Sequence, residues 1–127
     1  MKETENRNKY GINTNFNQMI LSIIIPLYNE EKTIIQILEK IKSNSSKLFK
    51  YEIIIIDDGS TDQSRKLLEN NKHLFDKLLI NEINRGKGFS VKKGISAASG
   101  THIIFQDADL EYDPADFKKF EKIFSDF

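Results

Sequence analysis

Apolar residues follow two alternating rhythms along this chain. Unbroken runs, Ile23-Ile24-Ile25-Pro26-Leu27, Ile53-Ile54-Ile55-Ile56 and Ile103-Ile104-Phe105, are separated by stretches in which apolar residues recur every three or four positions. Runs this short and β-branched, without polar alternation, predict strands buried on both faces, as in a parallel sheet. Leu78-Leu79-Ile80 predicts a further, shorter strand. The first strand starts near Met19 and ends near Leu27, and a helix is expected from about Glu30 to Lys42, with Ile34, Ile37, Leu38 and Ile41 on its buried face. A second helix follows Asp62, with Leu67, Leu68 and Leu74 toward the sheet and Ser60 and Gln63 spaced as a capping box. A third follows Lys87, carries Val91, Ile95 and Ala98, and has Gly100 placed to stop it. After the strand His102 to Gln106, Asp113-Pro114 predicts an N-cap and a first-turn proline. Phe117, Phe120, Phe124 and Phe127 then form a stripe that needs cover, from the domain's own sheet or from a packing partner or further protein. The expected class is α/β: a Rossmann-like, open, mostly parallel sheet with flanking helices.

A length of 127 residues predicts one domain. Residues 1–18 are polar, rich in Asn, Lys and Glu, and are expected to be a flexible arm, leaving 19–127 as the folded unit. The 19 basic and 19 acidic side chains cancel, so no overall field draws the chain to nucleic acid or anionic lipid. Cysteine is absent, which excludes disulfides, thiolate metal sites and Cys nucleophiles. No apolar stretch approaches the ~20 residues that span a bilayer, and no signal-peptide pattern is present. A soluble, cytoplasmic chain is the expectation.

The chemistry lies where the strands end. Three runs break off into acids: Tyr28-Asn29-Glu30, Asp57-Asp58 and Asp107-Ala108-Asp109. In an open α/β sheet the ligand crevice lies outside the carboxyl ends of the strands, so these acids should converge. Gathered carboxylates repel, and a divalent cation or the hydrogen-bond donors of a substrate would relieve them. Asp107 and Asp109, two apart in extended backbone, project to one side and could share an ion. Oxygen-only ligation suits Mg²⁺ or Mn²⁺, with Glu111 as an outer ligand. The competing role, capping the next helix, is already filled by Asp113.

Asp57 and Asp58 could accept from a base N–H or ribose hydroxyls, or could serve a turn at Gly59. Tyr28, after Pro26, could pack against a base, while Glu30 could accept from ribose or complement its own helix dipole. Arg85-Gly86-Lys87-Gly88 sets cations beside glycines at a helix start, where a diphosphate could be received, although Lys87 could equally be solvated. Neither GxxxxGK[ST] nor GxGxxG occurs. His73 and His102 have no partner at catalytic spacing and read as structural or exposed.

Ile25-Pro26-Leu27-Tyr28-Asn29-Glu30, Asp57-Asp58-Gly59-Ser60-Thr61-Asp62, Asn84-Arg85-Gly86-Lys87-Gly88 and Gln106-Asp107-Ala108-Asp109-Leu110 occur in one order. Together they resemble the family 2 glycosyltransferases of the GT-A fold over about residues 20 to 127, most closely the polyprenyl-phosphate sugar transferases such as dolichyl-phosphate mannose synthase. The resemblance implies inverting sugar transfer from a nucleoside-diphosphate sugar. It places Asp107 and Asp109 at the DxD position on the metal and donor diphosphate, with Pro26, Tyr28, Glu30, Asp57 and Asp58 on the nucleotide. The acceptor half of such enzymes lies beyond the equivalent of Phe127, so the chain resembles a donor half with no general base identified. A lipid-phosphate acceptor, already ionised near neutral pH, would need none. Membrane contact would then come from absent segments or partners, at the cytoplasmic face. Two other classes compete: a nucleotide-sugar binding module without turnover, and a nucleotidyltransferase, which lacks support because its glycine- and arginine-rich entry loop is missing.

Overall fold

A computed structural model describes residues 19–109. The expectations for the arm at 1–18, for Glu111, for the Asp113-Pro114 helix start and for the Phe117, Phe120, Phe124 and Phe127 stripe fall outside those residues. The described chain runs β1 (Met19–Leu27), α1 (Ile34–Ser43), β2 (Phe49–Asp58), α2 (Ser64–Glu69), β3 (Lys77–Asn81), α3 (Lys87–Ala97) and β4 (His102–Phe105), with a 3₁₀ turn at Lys72–Leu74 before β3. The strands form one sheet in the order β3-β2-β1-β4. All three pairings are parallel, with Ile23 opposite both Ile53 and Ile104, and Asp58 opposite Asn81. This is the open α/β architecture the patterning predicts.

Helices cover both faces because the central strands are apolar on both. Leu21, Ile23, Ile25 and Leu27 of β1 pack with Ile34, Ile37, Leu38 and Ile41 of α1 and with Leu68 of α2. Each such side chain contributes about 1.5–3 kcal/mol on burial. The alternate residues Ile24, Ile54 and Ile56 form the second layer, with Leu79 and Ala98 against them. Following β1 the chain builds outward through β2 and β3, then α3 carries it back to β4 on the other side of β1. That reversal opens a crevice at the carboxyl ends of β1 and β4.

Four local expectations are corrected. The α1 helix begins at Ile34, after a turn in which the Thr33 and Ile34 N–H groups both donate to the Glu30 carbonyl. Ser60 caps nothing: Gln63 holds the α2 N-cap without a side-chain bond, and the Ser60 hydroxyl accepts from the Asn29 N–H instead. In α3 the buried residues are Ser90 and Gly94, while Ile95 is exposed. A Cβ at Gly94 would stand 2.6 Å from Ile24 Cγ2 and 2.8 Å from Ile56 Cδ1, so the helix lies against the sheet through its smallest residue. Gly100 is not a left-handed stop, since α3 ends at Ala97 with Ala98 in extended backbone. Its missing side chain lets the chain cross β1, where a Cβ would lie 2.8 Å from the Ile20 carbonyl oxygen.

At the opposite, amino end of the sheet, Glu52 ties the α3–β4 connection to β1 and β2. Its carboxylate accepts from Ser22 Oγ at 2.7 Å, from the Ser99 N–H at 2.9 Å and from Ser99 Oγ, with Lys77 Nζ at 3.4 Å. Burial alone would raise the Glu52 carboxyl, but these donors override it and hold it at about 2.

Candidate functional site

The loops after all four strands meet in one cavity of about 260 Å³. Its wall holds Pro26, Tyr28 and Glu30 from the β1–α1 loop, Asp58 at the end of β2, and Asp107, Ala108 and Asp109 after β4. Asn84, Gly86, Lys87 and Ser90 complete it from the β3–α3 loop and the start of α3. Residues 81 positions apart in the chain, Tyr28 and Asp109, therefore face one small volume.

Hydrogen bonds between loops set this geometry. Asn29 sits at φ 51°, a left-handed conformation that Asn tolerates. From there its Oδ1 accepts from the Thr61 and Asp62 N–H groups at 2.8 and 3.2 Å, while its own N–H donates to Ser60 Oγ. Glu30 N–H donates to the buried Ser64 Oγ, and Glu31 N–H to Asp62. Burial would raise the Asp62 carboxyl, yet the Ser64 donors and the Glu31 N–H hold it below its ordinary value. Gly59, at φ +76°, allows the next loop to pass close: a Cβ there would meet Asn84 N at 2.6 Å.

The acids then divide. Asp57 is fully buried and stands outside the cavity wall. Its Oδ2 pairs with Arg65 Nε at 2.8 Å and its Oδ1 accepts from the Ser60 N–H at 2.9 Å. The bond from Asp57 pushes the Arg65 guanidinium further up. The expectation that Asp57 faces a ligand is thus corrected: it anchors the turn and the start of α2. Asp58 does reach the wall, but its oxygens accept from Asn81 Nδ2 at 2.9 Å, Arg85 N–H at 2.7 Å and Gly86 N–H at 2.9 Å. It holds the β3–α3 loop in shape, with at most one lone-pair direction left for a visitor.

Asn81 extends this polar floor, donating also to Ser90 Oγ and accepting from Lys93 Nζ. None of Asn29, Asn81, Ser90 or Arg65 carried a sequence signal beyond its type, since their partners are 8 to 33 residues away. His102 stacks edge-on against Phe49 with ring centroids 5.4 Å apart, and His73 is exposed, so neither joins the site.

Asp107, Asp109 and Glu30 line the cavity as Asp58 does, whereas Asp57 does not. Lys87 Nζ lies 2.7 Å from Asp107 Oδ1, an ion pair across the mouth in which the lysine is 66% and the aspartate 27% exposed. A cation therefore already rests on one of the expected ligands. No group of three His, Cys, Asp or Glu residues able to hold a metal occurs among the described residues. Two carboxylates at an open cavity nevertheless fit the oxygen-only, water-completed shell of Mg²⁺ or Mn²⁺.

The comparisons with known proteins agree with this architecture. The sequence model of glycosyl transferase family 2 matches residues 22–126. The dolichyl-phosphate beta-glucosyltransferase of Dictyostelium discoideum is 39% identical over 113 residues, covering 81% of this chain and 35% of that protein. S. aureus TarS 1-349 in complex with UDP-GlcNAc superposes with a TM-score of 0.70 at 30% identity, over 85% of this chain and 31% of that one. Glucosyl-3-phosphoglycerate synthase of Mycobacterium tuberculosis, in complex with Mn²⁺, UDP and glucosyl-3-phosphoglycerate, gives 0.64 at 25% identity, over 79% and 37%. The chain spans about a third of the length of the curated relatives it matches.

Proposed function

This chain belongs to glycosyl transferase family 2, and from that premise we propose that it is the donor-binding part of an enzyme that moves a sugar from a nucleoside diphosphate, with inversion, onto a polyprenyl phosphate. The observation that carries the reading is the single cavity at the strand ends, where Tyr28, Glu30, Lys87, Asp107 and Asp109 surround space for one small molecule. The solved neighbours with UDP-GlcNAc or UDP support a uridine nucleotide as the first probe. The polyprenyl acceptor takes its support from the dolichyl-phosphate relative.

In this reading Tyr28, half exposed at the rim, offers a face to the base, and Glu30 offers an acceptor to ribose. Asp107 and Asp109 would hold Mg²⁺ or Mn²⁺, with Glu111 beyond the described residues as a further ligand. The ion would offset negative charge on the diphosphate as the anomeric bond breaks. Lys87, at the start of α3, turns from Asp107 toward the phosphate oxygens, adding its charge at a helix N-terminus. Asp58 acts through the loop: by accepting from the Arg85 and Gly86 N–H groups it fixes the backbone from which Lys87 projects.

The purified chain with Mn²⁺, a UDP-sugar and a polyprenyl phosphate should bind the donor and release UDP and glycolipid. A second reading, a nucleotide-sugar module without turnover, predicts the same donor binding at the same cavity. Donor binding without either product selects that reading, and absence of donor binding refutes both.

A further inference from the structure

Thr33 belongs to none of the motifs that point at the donor, yet its hydroxyl reaches the acidic loop after β4. Oγ1 lies 2.5 Å from the Ala108 carbonyl oxygen, 75 positions along the chain, and 3.3 Å from Glu30 Oε2. A hydroxyl has one proton. It donates to the nearer carbonyl, leaving the carboxylate contact as a weak alternative.

Other contacts restrain the same loop. Ala108 is 5% exposed and packs in the α1-side core. The Gln106 N–H donates to the Ile24 carbonyl at 3.0 Å, and the Gln106 side chain donates to the Asp107 carbonyl at 3.0 Å. Successive carbonyls of the loop therefore have donors, and the Asp107 and Asp109 side chains are what it presents to the cavity. Thr33 supplies the donor for the peptide that joins Ala108 to Asp109. It does so from the loop that carries Tyr28 and Glu30, so one hydroxyl joins the two halves of the cavity wall.

We propose that Thr33 is a positioning residue for the cation site at Asp107 and Asp109, an inference that rests on the metal-and-donor reading of the cavity. Without the hydroxyl the Ala108 carbonyl loses that donor and the peptide is held less firmly. An incoming ion must then draw a less firmly held loop into place, and its affinity falls.

Thr33→Val removes the hydroxyl and keeps the branched shape, whereas Thr33→Ser keeps the hydroxyl. Binding of Mn²⁺ alone, without nucleotide, is read from the loss of free Mn²⁺ signal in electron paramagnetic resonance, beside urea midpoints for each variant. Thr33→Val should bind Mn²⁺ about fivefold more weakly, the size expected for one lost hydrogen bond, and Thr33→Ser should stay within about twofold of the parent. A Thr33→Val protein that is less stable but binds Mn²⁺ like the parent overturns the proposal, because a purely structural hydroxyl would behave that way. Thr33→Ala gives the same readout if the valine does not fold. Asp109→Ala separates the two levels of inference. If it binds Mn²⁺ as well as the parent, the metal reading itself fails and this proposal with it; if it loses Mn²⁺ while Thr33→Val does not, only the role of Thr33 is refuted.

Discussion

Replacing Glu52 by Gln tests whether the amino end of the sheet is held by a charge or only by shape. The glutamate carboxyl stands at about 2 in place of the ordinary 4.5, although burial pushes the other way, because Ser99, Ser22 and Lys77 all donate to it. A folded-state value below the unfolded one means stability that is present above about pH 4.5 and is lost as pH falls toward 2. A shift of that size corresponds to about 3 kcal/mol at neutral pH, taken as an upper bound. Glutamine can still accept from Ser22 and from the Ser99 N–H, but its NH₂ then opposes the Lys77 ammonium, a donor facing a donor. Urea unfolding followed by circular dichroism at about pH 7, 4 and 2.5 should show Glu52→Gln less stable by roughly 2–3 kcal/mol at neutral pH. That gap should close as the solution is acidified, since the parent's carboxylate becomes protonated while the variant has nothing to titrate. A gap equal at all three pH values, or one under about 0.5 kcal/mol at neutral pH, would show that the charge contributes nothing there.

Gly94→Ala places a methyl within 2.6 Å of Ile24 and 2.8 Å of Ile56, both fully buried, and overpacking of about 1–3 kcal/mol should outweigh the helix propensity gained; a rise in melting temperature would count against the close helix–sheet contact. Lys87→Met removes the ammonium that rests on Asp107, so Mn²⁺ without nucleotide should bind about two- to fivefold more tightly while UDP with Mn²⁺ binds more weakly. Equal changes in Lys92→Met, an exposed cation on the same helix, would reduce the effect to general field. Asp58→Asn sets an NH₂ or a weaker acceptor against the Arg85 and Gly86 N–H groups, and should cost about 2 kcal/mol in urea unfolding together with donor affinity. Lost affinity at unchanged stability would instead favour direct ligand contact.

The strands were legible because short isoleucine runs bounded by turn residues have few alternatives in an α/β chain, and the crevice followed from strand ends alone. The lengths were less so. Charged residues interrupt β2 at Lys50 and Glu52, yet the strand begins at Phe49 because it pairs there with β1 from Met19 onward, with Glu52 taken up by Ser22, Ser99 and Lys77. The third helix misled for the opposite reason. Its apolar period selects Val91, Ile95 and Ala98, but the buried helix positions are Ser90 and Gly94, so Ile95 lies outward while Ala98, just past the helix, still packs on the sheet. Helical periodicity reports where burial is favourable, and steric fit at Gly94 decided the orientation.

Repulsion applies to all the strand-end acids, but their hydrogen bonds divide them. Asp57 and Asp58 are adjacent strand residues, so their side chains point to opposite faces. One meets Arg65 at the head of α2 and the other meets Asn81, placed beside it by the parallel register of β3. Both negative charges are therefore met by donors of the protein, and neither calls for an external cation. Asp107 and Asp109 lie past the last β1–β4 ladder residue at Phe105, in the loop that follows β4. What meets Asp107 is the end of an exposed lysine, a pairing that water and an incoming ion can displace at little cost. The need for an external cation thus falls on the loop after β4, at the acids Asp107 and Asp109 that were expected to hold it. Substitution there should alter Mn²⁺ binding with little change in stability, whereas at Asp57 or Asp58 it should alter stability first.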